Sequence, residues 1–464
     1  MDSAVDKPAA AAACQVVAVP YPGRGHINPM LNLCKAVAEK SSGGIHITFV
    51  VTEEWLGLIG SMTKPPNISF AAIPNVVPSE HVRGGDVFGF AMAVLTHMGD
   101  PFEQLLEQLR FRPALIIADA FLPWAADVAG RRNIPVALLW TMSASVYTFF
   151  HHFDLLVQNG HYPVESSSVL NGLDGMVDYI PGLAPSRVTD LPSIIRDQEK
   201  VSAFLKVQPQ QSKAKYLIFT SINHLESHVF DAFKQKVAFS IYNIGPATSF
   251  FKSKSKSKST TDKNDTDASY SKWLDLQSPD SVLYISSGSF LSVSASQMDE
   301  IVAGLNKSCV RFLLVTRNET NRLQEICGDK GLVVEWCDQM SVLCHPCVGG
   351  FWSHCGWNST KEAVLAGVPV LAFPIVMDQL LNAKMIVEDW GIGWRVKREE
   401  FDGLTKRDDI ADLVRRFMDL ESPERKELTR NARKLREACE TEFADGGSFQ
   451  SNVEEFAESI LQHR

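Results

Sequence analysis

The chain has 464 residues, of which 45% are hydrophobic and 21% are charged, a balance typical of globular domains. This composition excludes a disordered, collagen-like or disulfide-rich chain. The formal net charge of −9, from 45 basic and 54 acidic residues, disfavours a nucleic-acid partner because phosphate backbones repel an acidic surface.

The N-terminal segment and the cysteines indicate a cytoplasmic protein. Residues 1–13 lack the basic start and apolar stretch of a secretory signal, so we expect a disordered lead. The nine cysteines are odd in number, which favours reduced thiols. Because the longest apolar runs are short and interrupted, we expect no membrane span. A monomer is our default expectation.

Five apolar strands separated by helical stretches are predicted in the first half of the chain. This pattern is typical of a parallel sheet that is covered on both faces. A loop over residues 23–26 follows the first strand, and a helix is predicted from about Pro29. The predicted strands are Gln15–Pro20, Ile45–Val51, Ala114–Ala118, Val136–Trp140 and Tyr216–Thr220.

A second strand–helix series follows a polar linker predicted at residues 247–270. The sequence therefore predicts an α/β protein with two doubly wound domains, 14–246 and 271–445, that face one cleft. A final helix within 446–464 is expected to return to the first domain. The strands of the second series are predicted at Val282–Ser286, Phe312–Val315, Gly331–Val334, Val348–Trp352 and Val368–Phe373.

His26 and Asp119 are candidates for acid–base chemistry. Each follows or ends a predicted strand of the first domain, so both are expected at the same rim of the sheet. A neutral histidine oriented by a carboxylate is a common general base near neutral pH. The alternative, two unrelated loop residues, stays open on spacing alone.

The segment 336–379 carries the strongest chemical pattern. His354, Asn358 and Ser359 lie on either side of Gly356, where a helix is predicted to start near Ser359, and they form a suitable site for a diphosphate. Ser359-x-x-Glu362 matches a capping box, so Glu362 either completes that cap or binds a ribose.

Two further features of this segment leave alternatives open. Trp336 either stacks on a base or belongs to the core. A zinc site at Cys344 and Cys347 is disfavoured. The candidates for its other two ligands, His354 and Cys355, are neighbours in the sequence, so their side chains would point apart, and we expect no metal. Without a complete Gly-x-Gly-x-x-Gly or a phosphate-binding Gly-Lys-Ser/Thr loop, the pattern favours a nucleotide-sugar enzyme over an NAD-dependent oxidoreductase.

Residues 336–379 resemble the C-terminal signature of plant secondary-product UDP-glycosyltransferases of family 1. The resemblance extends over nearly the whole chain beyond residue 14 and looks closest to the group numbered 87. The matching motifs are Trp336-Cys-x-Gln339, His345, Gly349-Gly-Phe, His354-Cys-Gly-Trp-Asn-Ser359, Glu362, Gly367-Val-Pro369, Asp378-Gln379, Gly25-His26, Asp119, Trp140-Thr141 and Gly446-Gly-Ser448.

The resemblance implies a GT-B fold of two Rossmann-like domains and an inverting transfer of glucose from UDP-glucose, without a cofactor. His26 would deprotonate the acceptor and Asp119 would steady the imidazolium. Trp336 would stack on uracil, Cys337 would meet the base edge through its backbone, and Gln339 and Glu362 would contact the ribose. The diphosphate would be held by His354, Gly356, Asn358, Ser359 and Ser289, and the sugar by Trp357, Asp378, Gln379 and Thr141.

The acceptor pocket is predicted in the N-terminal loops, which are apolar and aromatic. Candidate acceptor-binding residues are Arg24, Phe121 and Phe149. They suit a small apolar plant metabolite with a hydroxyl or carboxyl group, such as a flavonoid, phenolic, terpenoid or hormone. A non-catalytic sugar-nucleotide-binding regulator is the alternative. Asp338 and Lys361 depart from the family pattern, which usually has proline and an apolar residue there.

Overall fold

Two parallel β-sheets, one in each half of the chain, form the framework. The computed structural model of the chain describes residues 13–80, 83–164, 175–205, 213–233, 239–246, 265–288, 293–317, 319–397 and 403–463. The predicted lead and most of the predicted linker therefore lie outside the described residues. A helix, Asp265–Asp275, begins within the range predicted as linker.

The first sheet has seven parallel strands in the order β3-β2-β1-β4-β5-β8-β9. A short antiparallel pair, β6 and β7, lies apart from it. The bounds are β1 Cys14–Val19, β2 Ile45–Thr52, β3 Ile68–Ile73, β4 Leu115–Asp119, β5 Val136–Trp140, β6 Met176–Val177, β7 Ser186–Arg187, β8 Tyr216–Phe219 and β9 Ser240–Asn243.

The second sheet has six parallel strands in the order β12-β11-β10-β13-β14-β15. Both sheets have β-branched and leucine-rich central strands that are buried on both faces, as helix-covered parallel sheets require. The bounds are β10 Val282–Ser286, β11 Arg311–Val315, β12 Gly331–Val334, β13 Val348–Ser353, β14 Val370–Ala372 and β15 Gly393–Arg395.

Helices cover both faces of each sheet. Those packed around the first sheet and its connections are Arg24–Lys40, Glu53–Ile59, Val87–His97, Gly99–Gln108, Pro123–Arg131, Ala144–His151, Phe153–Gln158, Gln198–Leu205 and Asn223–Phe233. Those of the second half are Asp265–Asp275, Ala295–Ser308, Thr320–Cys327, Gln339–Leu343, Trp357–Ala366, Gln379–Lys384, Arg407–Phe417, Pro423–Glu440 and Ser448–Leu461.

The last helix, Ser448–Leu461, packs on the first sheet although it follows the second one in the chain. Its apolar residues Val453, Phe456 and Ile460 are buried in the same core as β1 and β2. The Sγ of Cys14 also lies 3.7 Å from the carbonyl oxygen of Ile460. The chain therefore crosses between the two domains a second time after the Pro423–Glu440 helix.

The predicted α/β architecture is confirmed, and the predicted strands occur within two residues of their expected bounds. Five strands were not predicted: the short antiparallel pair β6 and β7, and three strands of the parallel sheets, β3, β9 and β15. These three parallel strands are all edge strands. β9, for example, has only one buried residue, so it lacks the continuous apolar run by which the central strands were identified.

A buried carboxylate fixes the start of the helix Ala144–His151. Glu226 is fully buried and accepts hydrogen bonds from the backbone amides of Ala144 and Ser145, at 2.9 and 2.7 Å. It also accepts from the hydroxyls of Ser145 and Ser221, at 2.7 and 2.5 Å. A negative charge at a helix N-terminus is favourable, and the buried amides of Ala144 and Ser145 require an acceptor.

We expect Glu226→Ala to destabilise the protein strongly, because it leaves several buried donors unsatisfied. The expected loss in the free energy of unfolding is about 3 kcal/mol. Urea denaturation followed by tryptophan fluorescence measures it, with the exposed Glu325→Ala as the control. Equal denaturation midpoints for the two variants would contradict the assigned role of Glu226.

Candidate active site

His26 lies in the first turn of a helix, not in a loop. The helix begins at Arg24, five residues earlier than predicted, and Pro29 lies inside it. Pro29 has no amide hydrogen to bond the Gly25 carbonyl four residues earlier, and that carbonyl instead accepts from the Asn358 side chain at 3.0 Å. His26 therefore sits on a rigid element at the carboxyl edge of β1.

Two side chains from neighbouring strand ends hold the His26 ring. Its Nδ1 lies 2.9 Å from Asp119 Oδ2 and 3.0 Å from the hydroxyl oxygen of Thr141. The other oxygen of Asp119 accepts from the Phe121 amide at 3.0 Å, and the carboxylate is fully buried. In the neutral ring Nδ1–H donates to Asp119, which leaves the Nε2 lone pair to accept a proton.

Aromatic rings surround the imidazole. The Tyr21 ring centroid is 4.9 Å from that of His26, and Phe121 meets it edge-on at 5.7 Å. The Phe121 ring centroid lies 5.6 Å from that of Phe204, and the Tyr21 ring centroid lies 6.0 Å from that of Phe90. We call these four rings the aromatic wall, and they give His26 an apolar environment on this side.

The helix Trp357–Ala366 begins at the edge of the cleft without a side-chain cap. Gly356 is its N-cap residue, and no side chain bonds the first-turn amides. The predicted capping box of Ser359 and Glu362 is therefore wrong, because the helix starts two residues earlier than expected. The uncapped amides and the helix dipole make this end a suitable anion site.

The His354 ring is sandwiched between Gly288 and Gly356. A Cβ at either glycine would overlap the ring, so the close packing requires the absence of a side chain at both positions. Burial lowers the pKa of His354 to about 4. The ring is therefore neutral near pH 7, so in the predicted diphosphate site it would act as a hydrogen-bonding group and not as a cation.

Gln339 organises the predicted ribose region. Its side-chain amide donates to Glu362 Oε2 at 2.6 Å and to the Ser359 hydroxyl at 2.9 Å, and accepts from Tyr284 at 3.1 Å. Burial raises the pKa of Glu362 to about 7, although the Gln339 amide opposes that shift. Gln339 thus orients the carboxylate, while Ser359 contacts Gln339 directly.

Two tryptophans and a cysteine of the signature differ in how exposed their side chains are. Trp336 follows β12 and is 51% exposed, which excludes the core alternative and leaves its face open to a ligand. Trp357 and Cys337 are buried, with 3% and 6% exposure. The indole N–H of Trp357 has no partner among the described residues. Only Trp336 therefore offers a flat surface for stacking.

The loop carrying Asp378 and Gln379 is braced from the first domain. Met377 has a positive φ of 59°. Its amide donates to the Ser193 hydroxyl at 2.7 Å, and its carbonyl accepts from the Ser193 amide at 3.2 Å. Gln379 Oε1 accepts from the amides of Ile375 and Val376, at 2.8 and 3.1 Å. The side-chain Nε2 of Gln379 makes no hydrogen bond with these two residues.

Asp378, from the second domain, lies near His26. Burial raises its pKa to about 6, and the nearby His26 and a 2.8 Å hydrogen bond from Asn382 oppose the shift. A carboxylate beside His26 but contributed by the opposite domain can contact both a bound sugar and the reacting centre. The structure thus brings together the residues predicted for the base and for the sugar.

Two residues of the helix Trp357–Ala366, Asn358 and Lys361, make further contacts between the domains. Asn358 donates to the Gly25 carbonyl at 3.0 Å, one residue before His26. Lys361 is buried and donates to the carbonyl and hydroxyl oxygens of Thr220, at 2.5 and 3.1 Å. Desolvation lowers the pKa of Lys361 to about 7, while Glu362 and Glu226 favour its charged form.

The predicted acceptor residues do not all reach the cleft. Phe121 contacts His26 as described above. Phe149 is fully buried and packs against Phe150 and Phe153, so it lies in the core and not in a pocket. Arg24 lies over the Trp55 ring at 5.8 Å, and the neighbouring Arg317 and burial lower its pKa. Ser289 lies outside the described residues.

Sequence reasoning missed Ser193, Tyr21 and Phe204. Ser193 hydrogen-bonds the backbone of Met377 in a loop that is distant in the sequence, and no local pattern identifies such a pairing. Phe204 belongs to a separate short helix, Gln198–Leu205, and its contact with Phe121 depends on tertiary packing. Tyr21 had a detectable signal, because it follows β1 directly at the ligand-binding edge of the sheet.

Neither a metal cluster nor a membrane span occurs in the described part of the chain. There, no group of three or more His, Cys, Asp or Glu side chains is arranged to hold a metal ion. No helix among the same residues is long and apolar enough to cross a membrane.

Comparison with known proteins agrees with this geometry. The model of the UDP-glucoronosyl and UDP-glucosyl transferase family matches residues 258–417. The chain is 47% identical to UDP-glycosyltransferase 87A1 of Arabidopsis thaliana, covering 96% of this chain and 100% of that one. It is 31% identical to 7-deoxyloganetin glucosyltransferase of Catharanthus roseus, covering 94% of both chains.

A solved structure shares the fold over nearly the full length. Medicago truncatula UGT71G1, in complex with UDP-glucose, superposes with a TM-score of 0.81 at 23% identity, covering 97% of this chain and 98% of that one. The predicted arrangement of two facing Rossmann-like domains is confirmed.

We expect Glu362→Gln to stabilise the protein at alkaline pH. The folded protein binds the Glu362 proton more tightly than the unfolded chain does, so ionisation costs stability as the pH rises toward about 7. Gln lacks this cost and can still accept from Gln339. The melting temperature of the variant should exceed that of the wild type at pH 8, and the excess should shrink by about pH 5.

The exposed Glu107→Gln is the matched control for this measurement. It should show no pH-dependent difference from the wild type. A Glu362→Gln excess that is the same at both pH values would show that burial does not raise the pKa of this carboxyl.

Proposed function

The chain belongs to the plant family 1 UDP-glycosyltransferases of group 87, which have the GT-B fold, and on this premise we propose that it is an inverting UDP-glucose-dependent O-glucosyltransferase. The acceptor we propose is a small apolar plant metabolite with a hydroxyl or carboxyl group. The observation that carries the proposal is the His26–Asp119 pair, placed opposite Asp378 and the open helix end at Gly356.

Donor binding follows from the groups at the carboxyl edge of the second sheet. The exposed Trp336 would stack on uracil, and Glu362, oriented by Gln339, would accept from the ribose hydroxyls. The amides that follow Gly356, together with neutral His354, would bind the diphosphate. Asp378 and the side-chain Nε2 of Gln379 would bind the glucose hydroxyls. The glucosyltransferase name of a 31% identical relative supports glucose as the sugar.

The reaction then needs one proton acceptor and one charge-stabilising site. The acceptor O–H gives its proton to His26 Nε2, and its oxygen attacks the anomeric carbon as the bond to UDP breaks. Asp119 stabilises the resulting imidazolium, and Thr141 keeps the ring in place. The helix amides offset the charge that develops on the diphosphate. Attack opposite the leaving group converts an α-linked donor into a β-glucoside.

The aromatic wall supports a flat or ring-bearing acceptor. Tyr21 and Phe121 contact the His26 ring, Phe204 packs against Phe121, and the buried Phe90 packs behind Tyr21. Such a surface holds an apolar body by burial and stacking while leaving its hydroxyl to His26. Flavonoids, phenolics, terpenoids and hormones of suitable size meet this requirement.

We also propose a monomer in the cytoplasm. All described groups of the site come from one chain, so a partner subunit is not required to complete it. The cysteines are free thiols in the structure, which supports a reducing compartment.

A panel assay tests the function directly. Purified protein is mixed with UDP-glucose and phenolic, flavonoid, terpenoid and carboxylic-acid acceptors, while UDP release and product mass are followed. A product heavier by one hexose supports the proposal. Tight UDP-glucose binding with no transfer across the panel would favour the non-catalytic sugar-nucleotide-binding regulator instead.

We expect His26→Ala to reduce kcat by about 10²–10⁴-fold while the affinity for UDP-glucose changes little. The reason is that the variant lacks the proton acceptor but keeps the donor groups of the opposite domain. Steady-state kinetics and calorimetric titration with UDP-glucose measure the two effects. His46→Ala is the matched control, because His46 contacts Ser69 away from the cleft. Normal turnover by a folded His26→Ala protein would contradict the base assignment.

We expect Phe121→Ala to raise the KM for an aromatic acceptor by about tenfold, because the wall loses the ring next to His26. The KM for UDP-glucose should stay within twofold of the wild type. Initial rates with each substrate varied in turn separate the two constants. Leu276→Ala, at an 83% exposed side chain, is the control. Equal increases in both KM values would indicate general distortion of the cleft.

A further inference from the structure

A cavity of about 500 Å³ opens beside the helix Pro423–Glu440. Five of its lining side chains are cationic: Arg425, Lys426, Arg430, Arg433 and Lys434. Two acidic residues, Asp280 and Glu437, also line it, so the walls carry an excess of positive charge. This excess is notable on a chain whose formal net charge is −9.

The cavity lies at the opposite edge of the second sheet from the donor site. Asp280 precedes β10, and Arg425 reaches Gly349 near the start of β13. His354 follows the other end of β13, five residues further along. At the rise of a strand that separation is about 16 Å, so the two sites are distinct.

Arg425 forms the floor of the cavity. Its side chain is buried, with 2% exposure, and donates to the Gly349 carbonyl and, at 2.7 Å, to the Thr429 hydroxyl. Its Nε has no hydrogen-bond partner among the described residues, and no carboxylate among them lies within ion-pair distance. Asp280 lies near enough to attract Arg425 but does not form an ion pair with it, and a buried cation that is only partly compensated favours an anionic ligand.

The outer cations are only partly neutralised. Lys426 pairs with Glu421 at 2.9 Å, and Arg430 with Glu427 at 3.4 Å. Arg433 and Lys434 are exposed, and neither forms an ion pair with any residue that the structure describes. Arg433 is close enough to Arg425 for the two charges to repel. Like charges held together in this way are relieved by an anion between them.

We propose that this cavity binds a compact multivalent oxyanion, such as a small metabolite with two or more phosphate groups. Guanidinium and ammonium groups that converge on one point suit phosphate oxygens. The volume lies in the range of small-molecule pockets, and a concave site with a buried arginine at its floor fits such a ligand better than it fits a flat membrane surface.

Calorimetric titration with inorganic tripolyphosphate tests the proposal, with UDP-glucose present to fill the cleft. The test variant is Arg433→Gln/Lys434→Gln, and the charge-matched control is Lys200→Gln/Lys213→Gln on the first domain. Because all four side chains are on the surface, the variants should fold, and equal melting temperatures check this. We expect at least tenfold weaker binding in the test variant and unchanged binding in the control.

Two results would overturn the proposal. One is the same tripolyphosphate affinity, or none, in all three proteins. The other is the absence of tripolyphosphate binding combined with sedimentation of the wild type, but not of the test variant, with phosphatidylcholine–phosphatidylserine vesicles. That second pattern would assign the cations to a membrane surface.

Discussion

The site depends on how the helix Trp357–Ala366 is held against the first domain. One end of this helix provides the open amides at the cleft, and its first two turns carry Ser359 and Glu362. Asn358 bonds the backbone next to His26, and Lys361 bonds the end of β8 through Thr220. These links set the distance between the predicted donor-binding groups and His26. Since they are short and directional, a small change in domain orientation would separate the reacting atoms.

Ionisable side chains with perturbed pKa values concentrate along this interface. Burial disfavours the charged forms of Glu362, Asp378, Lys361 and His354. Such groups reduce stability in the free protein, but they are the ones that a polar ligand would contact. These buried groups therefore lower the free energy of unfolding of the free protein while they keep polar atoms available for a ligand, which is a common compromise at functional sites.

The sequence predicted the framework and most of the site for physical reasons that also set its limits. Central strands such as β4 and β13 are apolar on both faces, so they could be identified locally, whereas the edge strand β9 could not. The positions of His26 and Asp119 followed from the rule that strand ends share one rim.

Other features depended on tertiary contacts that local patterns do not encode. The start of a helix was misjudged at Ser359, because a glycine N-cap carries no side-chain signal. The burial of Phe149 and the contact of Ser193 with Met377 depend on which elements pack together. Local sequence patterns contain no information about those pairings.

The contact between Ser193 and Met377 bears on how such enzymes diversify. The loop with Asp378 and Gln379 belongs by sequence to the second domain, yet its strained backbone is held by a hydroxyl of the first. Recombination that exchanges first domains between relatives would therefore change more than the acceptor. A hybrid whose new first domain lacks that hydroxyl would leave the Met377 amide without its hydrogen bond, so the two halves of the chain are not independent modules.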